Sequence, residues 1–186
     1  MITIRRERRA DAAAREQLLD AAYGPVRFSK PSQRLREARD PADGLSFVAV
    51  EDGRVVGTVR LWPVIAGASR PALLLGPLAV DPAYRKRGIG AALMQRAVRD
   101  ARSRGHRAIL LAGDASYYGR FGFSAESTGK LWLPGPYEAH RLLGCELVAG
   151  SLDGARGLIR APKAPASKLA PLVAAITGRG AAPQAA

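Results

Sequence analysis

Arg85-Lys86-Arg87-Gly88-Ile89-Gly90 places three cations and two glycines immediately before an amphipathic run with helical periodicity. Amides at a helix N-terminus lack intrahelical acceptors, and the helix dipole favours negative charge there. Glycine removes the Cβ that would hold a ligand away from the backbone. Together these features suit a phosphate. Two phosphate loops are excluded by spacing. A P-loop ends in Gly-Lys-Ser/Thr, which the chain lacks. A dinucleotide-binding turn needs a third small residue where Leu93 stands, and it normally follows a domain's first strand. Two phenols, Tyr117 and Tyr118, and the carboxylate of Asp114 lie further along the chain. A phenol is a neutral proton donor at pH 7. Taken singly, each group has a plainer role: turn glycines, packed aromatics, and a helix cap at Asp114.

The elements that position these groups follow from period and turn chemistry. Residues 2–5 read as a first strand, and Asp11 as the cap of a helix over 12–23 stopped by Gly24-Pro25. A second, polar helix is expected over 32–39, ended by Asp40-Pro41. Residues 45–51 and 55–61 form a hairpin around Asp52-Gly53, after which Pro63 and residues 67–71 lead to the next strand. Residues 73–80 read as a strand covered on both faces, with Gly76-Pro77 marking a bulge or splayed edge. A helix then runs from Gly88 to about Arg104, presenting Leu93, Met94, Ala97, Val98 and Ala101 on one face, and Gly105 fits its C-terminal cap. Residues 108–113 form the next strand, giving a βαβ unit with two parallel strands. A short helix over 115–120 follows, with final strands at 130–133 and 145–149.

In this context the sequence resembles the GNAT acyltransferases. Arg85-x-x-Gly88-x-Gly90 is similar to that family's R/Q-x-x-G-x-G/A signature. Leu78-x-Val80-x-Pro82-x-Tyr84 before it and Tyr117-Tyr118-Gly119-Arg120-Phe121-Gly122-Phe123 after it strengthen the likeness. The order β-α-α-β-β-β-α-β-α-β-β agrees as well. The likeness covers about residues 2–160, and the run from Gly113-Asp114 to Phe123 resembles a poorly characterised bacterial branch. The resemblance implies a mixed α/β fold whose central sheet is splayed between two strands and flanked by helices. It implies acetyl-CoA, or a related acyl-CoA, as acyl donor, with transfer to a primary amine. The pantetheine arm would pair with the backbone of Leu78, Ala79 and Val80. The Leu78 N–H would polarise the thioester carbonyl, and the amides of Arg85, Lys86, Arg87, Gly88, Ile89, Gly90 and Ala91 would bind the pyrophosphate. Tyr118 would protonate the leaving thiolate. Many family members carry a glutamate as general base four residues before the Leu78 position; here Leu74 stands there, and Asp114 is the acidic candidate.

Composition limits the alternatives. The chain has 186 residues, with 29 Lys+Arg against 16 Asp+Glu, a formal net charge of +13. That excess calls for an anionic partner or substrate. A nucleic-acid-binding protein is the runner-up reading. Against it, the basic residues are spread over several elements and only 6% of residues are aromatic, too few for a stacking ladder. A CoA-binding module without catalysis is a third reading, drawn from Leu74. One cysteine, Cys145, excludes an intramolecular disulfide, and with His106 and His140 it cannot complete a four-ligand Cys/His zinc site, so no metal is expected. Apolar runs are too short to span a bilayer and no signal peptide is evident, which predicts a cytoplasmic monomer or homodimer. Residues 1–160 are expected to form one domain, and 161–186 an Ala/Pro-rich tail with a short docked helix at 171–177.

Overall fold

The computed structural model describes residues 1–163, so the helix expected at 171–177 lies outside the described residues. Strand β1 (Thr3–Arg6) is followed by helix α1 (Ala12–Tyr23) and a single-turn helix α2 (Pro31–Arg34). Strands β2 (Ser46–Glu51), β3 (Arg54–Ala66), β4 (Arg70–Leu75) and β5 (Ala79–Val80) precede helix α3 (Ile89–Ser103). Strand β6 (Ala108–Ala112), helix α4 (Ala115–Tyr118), and strands β7 (Leu131–Trp132), β8 (Leu142–Glu146) and β9 (Gly157–Leu158) follow among the described residues. Seven strands form one mixed sheet in the order β1-β2-β3-β4-β6-β8, with β5 also paired to β3, while β7 and β9 pair in a separate parallel ribbon. Among the described residues, the β4–β6 pair is the only parallel one within the large sheet, as the βαβ reading requires. Among the described residues no helix is long and apolar enough to cross a membrane.

The best-read elements have strong local determinants. Asp52 and Gly53 both adopt positive φ, +49° and +78°, as a two-residue turn matched to strand twist demands. Helix α3 buries Ile89, Leu93, Met94, Ala97 and Ala101 on one face of the sheet. Gly57 lies beneath it: a Cβ there would come within 3.0 Å of Ile89 and 3.1 Å of Leu93, so the missing side chain lets helix and sheet approach. At the other end Gly105 N–H donates to Arg102 O and His106 N–H to Ala101 O, a complete C-terminal capping pair. Strand alternation sends Phe47, Ala49 and Val56 toward α3, and Val48 and Val55 toward Leu18 and Leu19 of α1. Helices α1 and α3 therefore cover opposite faces.

Several expectations are corrected. Asp11 does not cap α1 through its side chain. Its carboxylate takes both Arg5 guanidinium nitrogens, at 2.6 and 2.8 Å, and the Arg8 N–H at 2.7 Å. The polar helix over 32–39 shrinks to one turn, because Leu35 is its one buried side chain and a helix without an apolar stripe gains little from packing. Pro63 lies inside β3 rather than after it. Gly76 N–H donates to Arg60 O, so bonded pairs toward β4 fall at alternate residues and Pro63 faces the other way. That side is open because β2 pairs β3 only up to Arg60, and a proline is tolerated where no ladder bond is required. The last strand of the large sheet starts at Leu142, three residues before the expected position, and β9 was not anticipated.

The Arg5–Asp11 pair carries a prediction. Both Arg5 hydrogen bonds, aided by the Arg8 amide, hold the Asp11 pKa down at about 2. Because the folded value is depressed, the stabilisation is present above the unfolded carboxylate's pKa. It is lost as pH falls from about 4 to about 2. Asp11→Asn is expected to lower the unfolding free energy at pH 7 by about 1–3 kcal/mol. The gap between parent and variant should close toward pH 2. Urea unfolding at several pH values checks this, and equal midpoints at pH 7 would contradict it.

Candidate active site

The apolar segment read as one strand is two strands joined by a bulge. Strand β4 pairs with β3 in one register and β5 in a register shifted by one residue, with Gly76-Pro77-Leu78 as the break. Two bonds hold Gly76 at the bulge: its N–H donates to Arg60 O at 2.8 Å, and its carbonyl accepts the buried Trp62 Nε1–H at 2.9 Å. Beyond the bulge, Asp81 N–H donates to Val56 O, so Ala79 bonds toward β3 and the Val80 peptide groups face away from it. Strand β6 pairs with β4 only at Leu73 and Leu74, and does not follow the chain to β5. The sheet thus splays, leaving an open edge along residues 78–80. Among the described residues, Leu78 N–H has no backbone acceptor. The Leu78 carbonyl accepts the hydroxyl of Tyr23, at the C-terminal end of α1.

The basic turn continues directly from this edge. Asp81 Oδ1 accepts Ala83 N–H at 2.9 Å and closes a 3-10 turn over Pro82–Tyr84. Lys86 and Gly88 are both left-handed, with φ of +63° and +76°, and Gly88 is the N-cap of α3. Such alternation turns successive amides toward a common concavity. The first α-helical bond runs from Ala92 N–H to Gly88 O, which leaves the amides of Ile89, Gly90 and Ala91 without intrahelical acceptors. A Cβ on Gly88 would meet nothing, so Gly88 is required for its φ; a Cβ on Gly90 would stand 2.8 Å from the Tyr117 hydroxyl. Arg87 is turned aside. Its guanidinium binds Glu51 at 2.8 and 3.1 Å and lies over the Tyr84 ring. Arg85 and Lys86 are exposed and make no ion pair among the described residues. The outward amides, the two unpaired cations and the absent Cβ atoms fit a pyrophosphate.

Where the sheet splays, a cavity of about 370 Å³ opens between the bulge, α4 and the segments around residues 23–36 and 133–141. Leu78 and Tyr118 both line it, as do Leu74 and Tyr23. The Tyr118 ring lies against Gly113, where a Cβ would fall 2.2 Å from Cε2, and is braced edge-on by Tyr117 and Phe123. Its hydroxyl makes no hydrogen bond among the described residues, and burial pushes its pKa well above the usual phenol value, so it stays protonated. Tyr117 points elsewhere, its hydroxyl over Gly90. Asp114 is exposed and outside the cavity lining; its Oδ1 accepts Ser116 N–H at 2.9 Å, and that bond holds its pKa below the usual carboxylate range. The carboxylate that does line the cavity is Glu138, 3.6 Å from Arg141. Sequence reasoning missed Tyr23, Trp62 and Glu138, because nothing local reports contacts across 55, 14 or more residues.

Residues 13–123 match the acetyltransferase (GNAT) family. The chain is 32% identical over 164 residues to the uncharacterized N-acetyltransferase YhbS of Escherichia coli K12, covering 84% of this chain and 93% of that protein. The crystal structure of the E. coli GNAT-family N-acetyltransferase YhbS in complex with CoA is similar with a TM-score of 0.74 and 29% identity, over 86% of this chain and 89% of that one. A GNAT-family acetyltransferase from Brucella melitensis in complex with acetyl-CoA gives a TM-score of 0.58 and 38% identity, over 67% of this chain and 83% of that one. The splayed sheet, the bulge beside it and the glycine turn at the head of α3 all lie within this matched segment, and the chain belongs to the GNAT acetyltransferase family.

Proposed function

We propose that the chain moves an acetyl, or related acyl, group from acyl-CoA to a primary amine by direct attack. The observation that carries this reading is the continuity of three features: the outward amides of α3, the open edge of residues 78–80, and the cavity at Leu78 and Tyr118. Acyl-CoA supplies a thioester, an acyl group already activated toward nucleophiles. The amides of residues 86–91 hold its pyrophosphate; the Arg85 N–H, expected among them, instead donates to Pro82 O and closes the 3-10 turn, so Arg85 adds charge with Lys86 while Arg87 braces the turn through Glu51. The backbone of Leu78, Ala79 and Val80 presents the open edge, with Val80 pairing outward and Leu78 N–H donating to the carbonyl oxygen as negative charge develops. Tyr23 holds the Leu78 carbonyl, in the peptide group that follows that N–H, and so restrains the backbone on the far side of the Leu78 Cα. Tyr118 gives its proton to the departing sulfur. With the Asp114 carboxylate committed to the α4 cap, we assign removal of the amine proton to solvent in the open cavity.

Acetyl-CoA binding tests the reading. A ligand that binds only the folded state at a hundred times its Kd stabilises by about 2.7 kcal/mol. For a chain of this size that raises Tm by roughly 5–10 °C. The absence of any shift at millimolar acetyl-CoA, in protein free of bound CoA, would overturn it. Binding without amine-dependent thiol release would leave a non-catalytic CoA module.

A further inference from the structure

The cavity that Leu78 and Tyr118 line also carries a strongly cationic wall. Arg27, Lys30, Arg36 and Arg141 line it, against one carboxylate, Glu138. Two of the four cations are already matched. Arg27 bridges to Glu16 at 2.6 Å and to Asp20 at 2.8 Å, and Arg141 lies 3.6 Å from Glu138. Arg36 is not matched. Its hydrogen bonds go to the Ser32 carbonyl at 3.0 Å and the Ser32 hydroxyl at 2.5 Å, and it meets no carboxylate among the described residues. Lys30 rests over the Tyr23 ring, 4.6 Å from its centroid, likewise without a carboxylate partner there.

A half-buried guanidinium without a counter-charge is costly unless something compensates it. Desolvation pushes the Arg36 pKa down to about 10, which still leaves it charged at neutral pH. Lys30 is the more exposed of the two, and its pKa is lowered by partial burial and by the neighbouring charges of Arg36 and Arg141. Ser32 orients the Arg36 fork from one edge only, through Nε and one terminal nitrogen, which leaves Nη1 without a partner among the described residues. A planar fork of this kind is suited to a carboxylate or phosphate. The remaining wall near it, Pro31, Leu133, Pro136 and Tyr137, is largely apolar.

Resting on the acyltransfer reading above, we infer that Arg36 and Lys30 form an anion-binding subsite for the acceptor. The amine substrate then carries a carboxylate or phosphate, held at the cationic wall while its amino group faces Leu78 and Tyr118. This arrangement also rejects polycationic amines, which would meet the surplus positive charge of the wall.

Matched acceptors separate the subsite from the acyltransfer reading itself. Amino acids, their amides, aminoalkyl phosphates and diamines of equal chain length are compared by thiol release from acetyl-CoA. The expected kcat/KM for anionic acceptors exceeds that for matched amides by about 10- to 100-fold, the worth of one hydrogen-bonded charge pair. Carboxylate and phosphate arms tell which anion is preferred. In Arg36→Gln the preference should collapse through KM, and Arg36→Lys should restore part of it. Equal use of amides and amino acids, with acetyl-CoA bound and consumed, overturns the subsite and leaves the acyltransfer reading intact. Failure to bind acetyl-CoA overturns that reading instead. Independently of turnover, inorganic phosphate and succinate should bind saturably to the parent in the presence of CoA, and about tenfold or more weaker to Arg36→Gln. No saturable anion binding, or binding unchanged by the substitution, also overturns the subsite.

Discussion

Tyr118→Phe is expected to bind acetyl-CoA as the parent does and to turn over roughly 10²–10⁴-fold more slowly, the usual worth of a positioned general acid. The substitution removes one hydroxyl and keeps the ring. That ring lies on Gly113 and is braced by Tyr117 and Phe123, contacts that need no oxygen. The hydroxyl has no partner within the protein among the described residues, so its removal breaks no hydrogen bond there and folding should be unaffected. Burial also keeps it protonated far above neutral pH, so the rate loss should be as large at pH 9 as at pH 7. Tyr117→Phe is the control: its hydroxyl stands over Gly90, so any loss should appear in acetyl-CoA affinity rather than in kcat. Steady-state rates with calorimetric affinities decide the matter. Full activity in Tyr118→Phe would move the acid role to solvent or another group.

Gly90→Val is expected to weaken acetyl-CoA binding on the order of a hundredfold or more while leaving a folded protein. The figure corresponds to losing about two charge-assisted amide bonds at roughly 1.5–3 kcal/mol each. A valine Cβ would fall 2.8 Å from the Tyr117 hydroxyl and project its methyls over the amides of the turn. Gly90 is an ordinary helical residue, so the backbone tolerates the change. Gly88 behaves differently. Its Cβ would meet no atom, but its φ of +76° is strained for any other residue, so Gly88→Val should cost about 1–3 kcal/mol of stability as well as affinity. Calorimetry with acetyl-CoA, paired with thermal unfolding, separates these outcomes. Parent-like affinity in folded Gly90→Val would make the turn purely structural.

These two sites differ in how far the sequence reveals them. The glycine turn was legible because its signal is local: an apolar strand, Asp81-Pro82, three cations, and glycines heading a periodic helix. The Asp52-Gly53 hairpin and the apolar face of α3 were legible for the same reason. Asp11 was misread because Arg5, on the neighbouring strand, competes for the carboxylate that would otherwise cap α1. Pro63 reads as part of a connection in the sequence because its tolerance within a strand depends on where β2 stops pairing, a fact of tertiary structure. Tyr117 and Tyr118 are adjacent in sequence, and only the phase of α4 sends one toward Gly90 and the other into the cavity wall. The cationic wall was not legible at all. Its residues come from two segments a hundred positions apart, and which cations stay unmatched depends on where Glu16, Asp20 and Glu138 fall in space.

The most direct test of the account is amine-dependent thiol release from acetyl-CoA by the purified full chain, with the acylated amine measured in parallel by mass spectrometry. The acceptor set should include neutral and anionic primary amines. The account predicts thiol release that rises with acceptor concentration, equals the N-acetyl product formed, and falls by roughly two orders of magnitude or more in Tyr118→Phe. Saturable acetyl-CoA binding with thiol release that stays at the solvent rate for every amine would contradict it.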